Sequence, residues 1–187
     1  MAKLFADLFL SVDAFARGLR SPAYFGYDGP DLERWISQAQ AHPQRLVLGR
    51  VTYEILASLP EEARDEAWHA MTATPAIVFS RTLDAVEWPN ATLVRDDLAT
   101  AIARLKEDGG PDLRTVGSLS LVRQLLTAGL VDQLRLMVFP LLLGGSGAEP
   151  FFAELADIGL ELVDQSVLDG RIVLCDYRPA GPPPYTD

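Results

Sequence analysis

The order of short apolar segments and amphipathic helices narrows the possible folds of this sequence further than any other feature. Lys3–Val12 is too continuously apolar for a strand with one face in water, which is typical of a central strand covered on both faces. A helix is predicted over Asp31–Ala41, where apolar residues recur at helical spacing. Further strands are predicted at Arg45–Gly49, Ala76–Ser80, Thr92–Val94 and Leu113–Val116, and further helices around Val51–Leu56, Glu61–Met71, Leu98–Leu105 and Ser118–Ala128. This alternation predicts an α/β domain with a mainly parallel sheet.

The C-terminal part of the sequence predicts antiparallel pairing instead. Gln133–Leu143 is expected to form a long strand. Two further strands, Leu160–Leu168 and Arg171–Tyr177, flank Asp169-Gly170, a pair that is favoured in two-residue hairpin turns. We therefore expect one domain over residues 1–178 that ends in this hairpin, followed by a proline-rich tail at residues 179–187.

The composition argues against several classes of protein. The 187 residues include 16 Lys and Arg against 26 Asp and Glu, and a net charge of −10 disfavours nucleic acids and anionic membranes as partners. The one cysteine and two histidines lack metal-ligand spacing, so no metal site is expected. No stretch is apolar for the length of a membrane-spanning helix. We expect a cytoplasmic protein whose 49% apolar residues supply a sizeable core.

Three strand-to-helix junctions carry residues suited to binding phosphate. Ligands of α/β proteins collect at such junctions, because the free amides of a helix N-terminus attract anions. The residues are Gly49, Arg50 and Thr52 at the first junction, Ser80, Arg81 and Thr82 at the second, and Gly117, Ser118, Leu119 and Ser120 at the third. Each junction alone also fits ordinary turn chemistry. Together they predict a groove for a ligand with several phosphates.

An ordered set of short motifs resembles a known superfamily. The motifs are Ser11-Val12-Asp13, Leu48-Gly49-Arg50 with Thr52-Tyr53-Glu54, Ser80-Arg81-Thr82-Leu83, Gly117-Ser118, and Gly129-Leu130-Val131-Asp132 running to Pro140-Leu141-Leu142-Leu143-Gly144. They resemble the dihydrofolate reductase superfamily, and within it the riboflavin-biosynthesis reductase type, which is the C-terminal domain of the bifunctional deaminase-reductase, as a standalone member. No Rossmann or Walker glycine motif and no zinc-deaminase signature is present. The resemblance implies a three-layer, dihydrofolate-reductase-like α/β fold.

The resemblance also implies NADPH as the cofactor, held by the three junctions. The arginines and hydroxyls of the first two junctions would bind the adenosine 2′-phosphate and the pyrophosphate end, and the third would lie against the pyrophosphate and the nicotinamide ribose. The sequence departs from the family at two positions. Dihydrofolate reductases have two glycines joined by a cis peptide where this sequence has Gly117-Ser118, which leaves the cis bond open. Ala14 replaces a common glycine, and we expect the loop there to follow a different path because alanine disfavours positive φ.

The resemblance implies an acidic proton donor near the start of the first helix. Asp31 is the first candidate, with a helix N-cap as its alternative role. Asp13 is the second candidate, with a turn-forming role as its alternative. Asp7 lies within an apolar strand, so it either lines the substrate pocket or sits on a sheet edge. Asp7, Phe9 and Trp35 are the predicted substrate residues.

We interpret the sequence as that of a reductase that transfers a hydride from NADPH to a small heterocycle. The substrate would be pyrimidine-like, of the 5-amino-6-ribosylaminouracil type, or pterin-like. Dihydrofolate reductase activity and a non-catalytic NADPH-binding module are the alternatives. A homodimer is expected, because the long apolar strand and the C-terminal hairpin form an edge that is usually covered and because the resemblance implies it.

Overall fold

The computed structural model describes residues 1–153 and 155–185, which contain eight strands and five α-helices. The strands are β1 (Leu4–Ser11), β2 (Gln44–Gly49), β3 (Ala76–Phe79), β4 (Ala91–Val94), β5 (Asp112–Thr115), β6 (Gln133–Phe139), β7 (Leu160–Leu168) and β8 (Ile172–Pro179). The helices are α1 (Pro30–Ala41), α2 (Arg50–Ala57), α3 (Glu66–Ala73), α4 (Leu98–Glu107) and α5 (Leu119–Thr127).

The strands form one sheet in the order β4-β3-β2-β5-β1-β6-β8-β7. β2 pairs in parallel with β3 and β5, and β3 pairs in parallel with β4. β8 pairs antiparallel with both β6 and β7. The predicted α/β fold, with a mainly parallel sheet and a C-terminal antiparallel hairpin, is therefore confirmed.

The chain divides into two compact units. Unit 1 comprises Met1–Phe5 and Gln40–Leu130, and unit 2 comprises Ala6–Ala39 and Val131–Asp187. The single domain expected over residues 1–178 stays a prediction. Of the expected tail at 179–187, Pro179 belongs to β8, while Thr186 and Asp187 lie outside the described residues.

Each unit has its own core. In unit 1, Leu48 and Val78 from neighbouring parallel strands pack with Tyr53 of α2 and with Trp88. In unit 2, Leu32 of α1 packs on one face of the antiparallel strands; the other buried members of this cluster are Met137, Phe139, Leu168 and Ile172. A helix thus packs on the strands in each unit.

Three of the differences from the sequence-based element boundaries have a clear physical cause. The helix expected over Glu61–Met71 is a 3-10 turn at Glu61–Ala63 followed by α3, because the Asp65 carboxylate accepts the Trp68 N–H at 2.8 Å and starts a new helix there. β6 ends at Phe139 rather than Leu143, since Pro140 has no N–H to continue the ladder. The hairpin turn has three residues rather than two, because Leu168 pairs with Ile172.

No helix within the described ranges is long and apolar enough to span a membrane.

Candidate functional site

A groove of about 370 Å³ lies in unit 1. It forms where β2 and β3 end and where α2, α4 and α5 begin. Its lining includes six of the residues predicted from the three junctions, namely Gly49, Arg50, Ser80, Arg81, Ser118 and Ser120. The three junctions therefore meet at one groove.

Two of the three helices begin at the groove without a side-chain cap. The N-cap residue of α2 is Gly49 and that of α5 is Ser118, and neither position shows a side-chain hydrogen bond to the helix amides. α4 differs, because Asp97 accepts the Thr100 N–H at 3.0 Å. Open amides at the starts of two helices favour an anionic ligand.

A close approach between two of the junctions requires glycine. A Cβ on Gly49 would lie 2.5 Å from the Ser118 hydroxyl oxygen, so a larger residue would clash with the Ser118 side chain. Gly117 has φ +62°, and a Cβ there would lie 3.1 Å from the Thr52 hydroxyl oxygen. Thr52 thus packs beside Gly117 and supports the third junction.

The remaining predicted cofactor residues, Thr52, Thr82, Gly117 and Leu119, are not part of the groove lining. The Ser80 hydroxyl accepts the Thr82 N–H at 3.1 Å, which fixes the turn after β3. Leu119 is the first residue of α5. All peptide bonds among the described residues are trans, and this includes the bond between Gly117 and Ser118.

The two arginines of the groove differ in whether their guanidinium groups already have a protein partner. Arg50 donates to Glu54 at 2.7 Å, one helical turn further along α2. Arg81 is exposed and makes no hydrogen bond or ion pair with residues 1–153 or 155–185. Hydrogen bonds from Thr100 lower the pKa of Asp97, and the positive charge of Arg81 adds to this shift. Arg81 is therefore a guanidinium at the groove that a ligand can bind without displacing a partner.

Asp7, Phe9 and Trp35 come together in unit 2. The Asp7 carboxylate accepts two hydrogen bonds from Arg135, at 2.5 and 2.9 Å, and its side chain is 3% exposed. The Arg135 guanidinium lies 5.3 Å from the centre of the Trp35 ring. β1 lies between β5 and β6, so the sheet-edge alternative for Asp7 is wrong. The strand carries a buried carboxylate because Arg135 neutralises it.

An aromatic cluster adjoins this ion pair. Phe9 meets Tyr24 and Trp35 edge-on, with ring centres 5.0 and 6.1 Å apart. Phe139 of β6 lies 5.7 Å from Tyr27. Sequence reasoning missed Arg135 as a member of this site. Its signal was a charged residue between Leu134 and Leu136 in a strand that otherwise reads as core.

Asp31 joins α1 to the β7–β8 turn. Its carboxylate accepts the Asp169 N–H at 3.0 Å and an Arg34 hydrogen bond at 2.8 Å. In return, the Asp169 carboxylate accepts the N–H groups of Asp31 and Leu32. The cap of α1 therefore comes from Asp169 rather than from Asp31 itself. The Asp169 N–H and Arg34 lower the pKa of Asp31, so the group favours its ionised form.

Asp13 holds the loop that follows β6. Its carboxylate accepts the Ser11 hydroxyl at 2.6 Å and the N–H groups of Leu143 and Gly144 at 3.1 and 2.7 Å. The Ser11 hydrogen bond is the largest cause that lowers the pKa of Asp13 from 3.8 to about 2. Ala14, next in the chain, adopts the positive φ of 63° that was expected to be avoided. Hydrogen bonds fix this turn, since Ala14 N–H donates to Ser11 and Phe151 N–H donates to Ala14.

The Asp13 network predicts a loss of stability in acid. A carboxyl whose folded pKa is lowered stabilises the fold above its unfolded pKa of about 3.8 and loses this contribution as the pH falls toward about 2. We expect the parent to unfold at a higher urea concentration than Asp13→Asn at about pH 6, with the two midpoints converging near pH 2. Parallel curves across this range would show that Asp13 has no such role.

Among the residues that the structure describes, no group of three or more His, Cys, Asp or Glu side chains could hold a metal ion.

Comparison with known proteins identifies the family to which this chain belongs. The model of the RibD C-terminal domain matches residues 2–174. The uncharacterized protein YyaP of Bacillus subtilis (strain 168) is 24% identical over 184 residues, which is 94% of each chain. A putative riboflavin biosynthesis protein from Shewanella sp. PV-4 has a TM-score of 0.72 and 22% identity, over 96% of this chain and 99% of that one.

A second solved structure extends the likeness to dihydrofolate reductases. Dihydrofolate reductase from Enterococcus faecalis, complexed with NADP(H) and RAB-propyl, has a TM-score of 0.62 and 15% identity. The match covers 95% of this chain and 96% of that one. The similarity at this identity concerns the fold, and it agrees with the sheet described above. The chain belongs to the RibD C-terminal domain family.

Proposed function

We propose that this protein is an NADPH-dependent reductase that transfers a hydride to a pyrimidine-like or pterin-like ring. Membership of the RibD C-terminal domain family supports an oxidoreductase. The observation that supports NADPH as the cofactor is the groove of unit 1, where two uncapped helix starts and the unpaired Arg81 meet. The Enterococcus faecalis relative in fold is complexed with NADP(H).

The residues of the groove fit a dinucleotide with an additional phosphate. The amides at the starts of α2 and α5 would bind the pyrophosphate, because they are free of side-chain caps. Gly49 leaves the clearance that this approach needs. Arg81, with Arg50 beside it, would bind the 2′-phosphate through charge-assisted hydrogen bonds. The bound cofactor would supply the hydride, and the protein would supply binding and orientation.

The substrate would be held by residues of unit 2. Trp35 and Phe9 offer aromatic surfaces against which a flat ring can pack. Arg135, which is held by its ion pair with Asp7, lies over the Trp35 ring and would help to keep the ring in place. In the proposed reductase these residues position the ring, and pterin-like substrates such as dihydrofolate remain the second choice of substrate.

A non-catalytic NADPH-binding protein is the second candidate function. Asp31 and Asp13 are both held as carboxylates by N–H donors, and a lowered pKa makes a poor proton donor near neutral pH. The role of either residue as proton donor stays a prediction. Asp31→Asn separates the roles, because a proton donor would lose turnover about 100-fold with NADPH affinity kept, whereas a structural link would lose stability alone.

The experiment that tests the proposed function measures binding and turnover separately. NADPH binding is titrated by calorimetry, and NADPH oxidation is then followed with a panel of aminopyrimidines and dihydropterins. We expect NADPH to bind and at least one ring class to be reduced. Binding without turnover would favour the second candidate, and failure to bind NADPH would overturn both.

We propose a homodimer formed through the outer face of β6, β8 and β7. Register pairs place Leu136 with Cys175, Val138 with Val173, and Leu162 with Tyr177 on this face, and Val167 pairs with Val173. None of these residues is charged, although the chain as a whole carries −10. Leu162, Val167 and Val173 are 50%, 59% and 41% exposed. An exposed apolar face of this kind is typical of an interface.

Sedimentation tests the dimer. The parent is expected to have twice the chain mass of 20.4 kDa at micromolar concentration. Val173→Glu should yield the monomer, because it places a buried charge on each side of the proposed interface. A parent mass near 20.4 kDa would rule the dimer out.

A further inference from the structure

A second carboxyl group lies beside the ion pair of β1 and β6. Asp176 of β8 pairs in register with Arg135 of β6, so the two side chains lie on the same face of the sheet. Met137 and Leu174, each two residues along its own strand, pack in the cluster that contains Leu32 of α1. Asp176 therefore lies on the sheet face that α1 covers and that carries the proposed substrate residues.

One oxygen of the Asp176 carboxyl group has no hydrogen-bond donor. Oδ2 accepts a hydrogen bond from the Gln133 side-chain amide, whereas Oδ1 is buried and has no partner among the described residues. Arg135 is the neighbouring cation, yet its Nε and Nη2 atoms both donate to Asp7. An ionised carboxylate would keep part of its charge on a buried oxygen that nothing solvates, which costs far more than burying the neutral acid.

The charged groups around Asp176 also favour its neutral form. They are Arg135 of β6, Asp7 of β1 and Asp164 of β7, which pairs in register with Asp176. Arg178, two residues further along β8, is held in an exposed ion pair with β7. One guanidinium therefore faces three carboxyl groups, and Asp7 already accepts two of its hydrogen bonds.

The pKa of Asp176 shifts in the direction that this arrangement requires. Burial raises the pKa of Asp176, and the negative charges of Asp164 and Asp7 add to the rise. The Gln133 hydrogen bond and the positive charge of Arg135 oppose the rise without reversing it. Asp176 thus keeps its proton to a higher pH than an exposed aspartate does.

We infer that Asp176 is a positioning residue of the proposed substrate site, whose protonated form leaves Arg135 bound to Asp7 and thereby keeps Trp35 in place. Loss of the proton would create a second carboxylate beside the guanidinium. Because β6 lies between β1 and β8, Arg135 would approach this carboxylate by moving away from Asp7. The guanidinium, which lies 5.3 Å from the centre of the Trp35 ring, would then support that ring less well. The inference rests on the proposed function in assigning Trp35 to the substrate ring.

A titration of Trp35 in the ligand-free protein tests the inference. The protein is labelled with 5-fluorotryptophan, and the Trp35 resonance is assigned by its absence from Trp35→Phe. Between about pH 3.5 and about pH 7.5 we expect this resonance to shift, with a midpoint above the pKa of about 3.9 of an exposed aspartate. Asp176→Asn keeps the shape of the neutral acid, so its Trp35 resonance should stay at the parent's low-pH position throughout.

Two controls separate Asp176 from other titrating groups. His42 and His69 both belong to unit 1 and remain in Asp176→Asn, so a transition that disappears in this variant is not theirs. Asp164→Asn removes a negative charge that raises the pKa of Asp176, so the midpoint should move to lower pH while the transition remains. The same Trp35 transition in the parent and in Asp176→Asn, or no transition in the parent, would overturn the inference.

Ring binding provides a second readout, which a purely structural residue would not change. Lumazine, a neutral pteridinedione, is titrated by calorimetry with NADPH already bound. From about one pH unit below the Trp35 midpoint to about one unit above it, the dissociation constant of the parent should rise more than about threefold, and that of Asp176→Asn should vary by less than about 1.5-fold. An equal rise in both proteins would overturn the role of Asp176. If lumazine binds neither protein at any pH, the ring class of the proposed function is wrong, and the Trp35 titration still decides the role of Asp176.

Discussion

Asp7→Ala is expected to lower the free energy of unfolding by about 3 to 5 kcal/mol. The substitution leaves the Arg135 guanidinium, whose side chain is 19% exposed, without the carboxylate that accepts two of its hydrogen bonds. Removing the carboxylate partner of a largely buried charge costs more than the lost contact itself, because the charge keeps its desolvation cost. Urea unfolding followed by circular dichroism measures the change.

A paired replacement provides the control for this prediction. Asp7→Leu combined with Arg135→Met removes both charges and keeps the volume, and we expect stability close to that of the parent. The double variant should also loosen Trp35, since the guanidinium no longer lies over its ring. An Asp7→Ala protein within about 1 kcal/mol of the parent would show that the ion pair is not the reason the strand tolerates Asp7.

Ser118→Trp is expected to weaken NADPH binding by more than about 100-fold, which corresponds to about 2.7 kcal/mol. Ser118 lines the groove as the N-cap residue of α5, so an indole there would fill the space beside the free amides. Calorimetric titration of NADPH measures the loss, and the thermal midpoint reports whether the fold is kept.

Two further tryptophan variants show whether Ser118→Trp weakens NADPH by blocking the groove or by straining the backbone at Ser118. Ser118 has φ 65°, which tryptophan adopts at a cost, whereas Ser120 lines the same groove from within α5. Ser120→Trp should therefore weaken NADPH as well, although its backbone is helical. Ser37→Trp, on the exposed part of α1 in unit 2, should leave the affinity unchanged. Full NADPH affinity in both groove variants would place the cofactor elsewhere.

Much of the fold follows from local patterns in the sequence. Strand segments such as Ala76–Phe79 are short apolar runs bounded by turn residues, and Asp97 before Leu98 is an N-cap signal that the structure realises. The hairpin was predictable from Asp169-Gly170, although its third turn residue was not. These features depend on neighbours within a few positions, so one sequence suffices to find them.

The candidate site was predictable from the sequence only at the three strand-to-helix junctions that form the groove. Gly49 and Gly117 signal tight strand-to-helix turns, and both border the groove. The partner of Asp7 is 128 positions away at Arg135, and the cap of α1 at Asp31 is 138 positions away at Asp169. Such contacts are set by the sheet order, which local spacing does not contain. The sequence therefore presents the acidic residues as isolated candidates, whereas in the structure Asp7 pairs with Arg135 and Asp31 bonds to Asp169.

The binding of NADPH and NADH to the parent and to Arg81→Ala tests the central claim most directly. Arg81 lines the groove and makes no ion pair within the described residues, so its loss should weaken NADPH by about 1 to 3 kcal/mol and leave NADH nearly unchanged. Arg50→Ala should have a smaller effect of the same kind, because Glu54 already pairs with Arg50. Equal losses for both cofactors, or no loss for either, would contradict the assignment of this groove to the phosphates of NADPH.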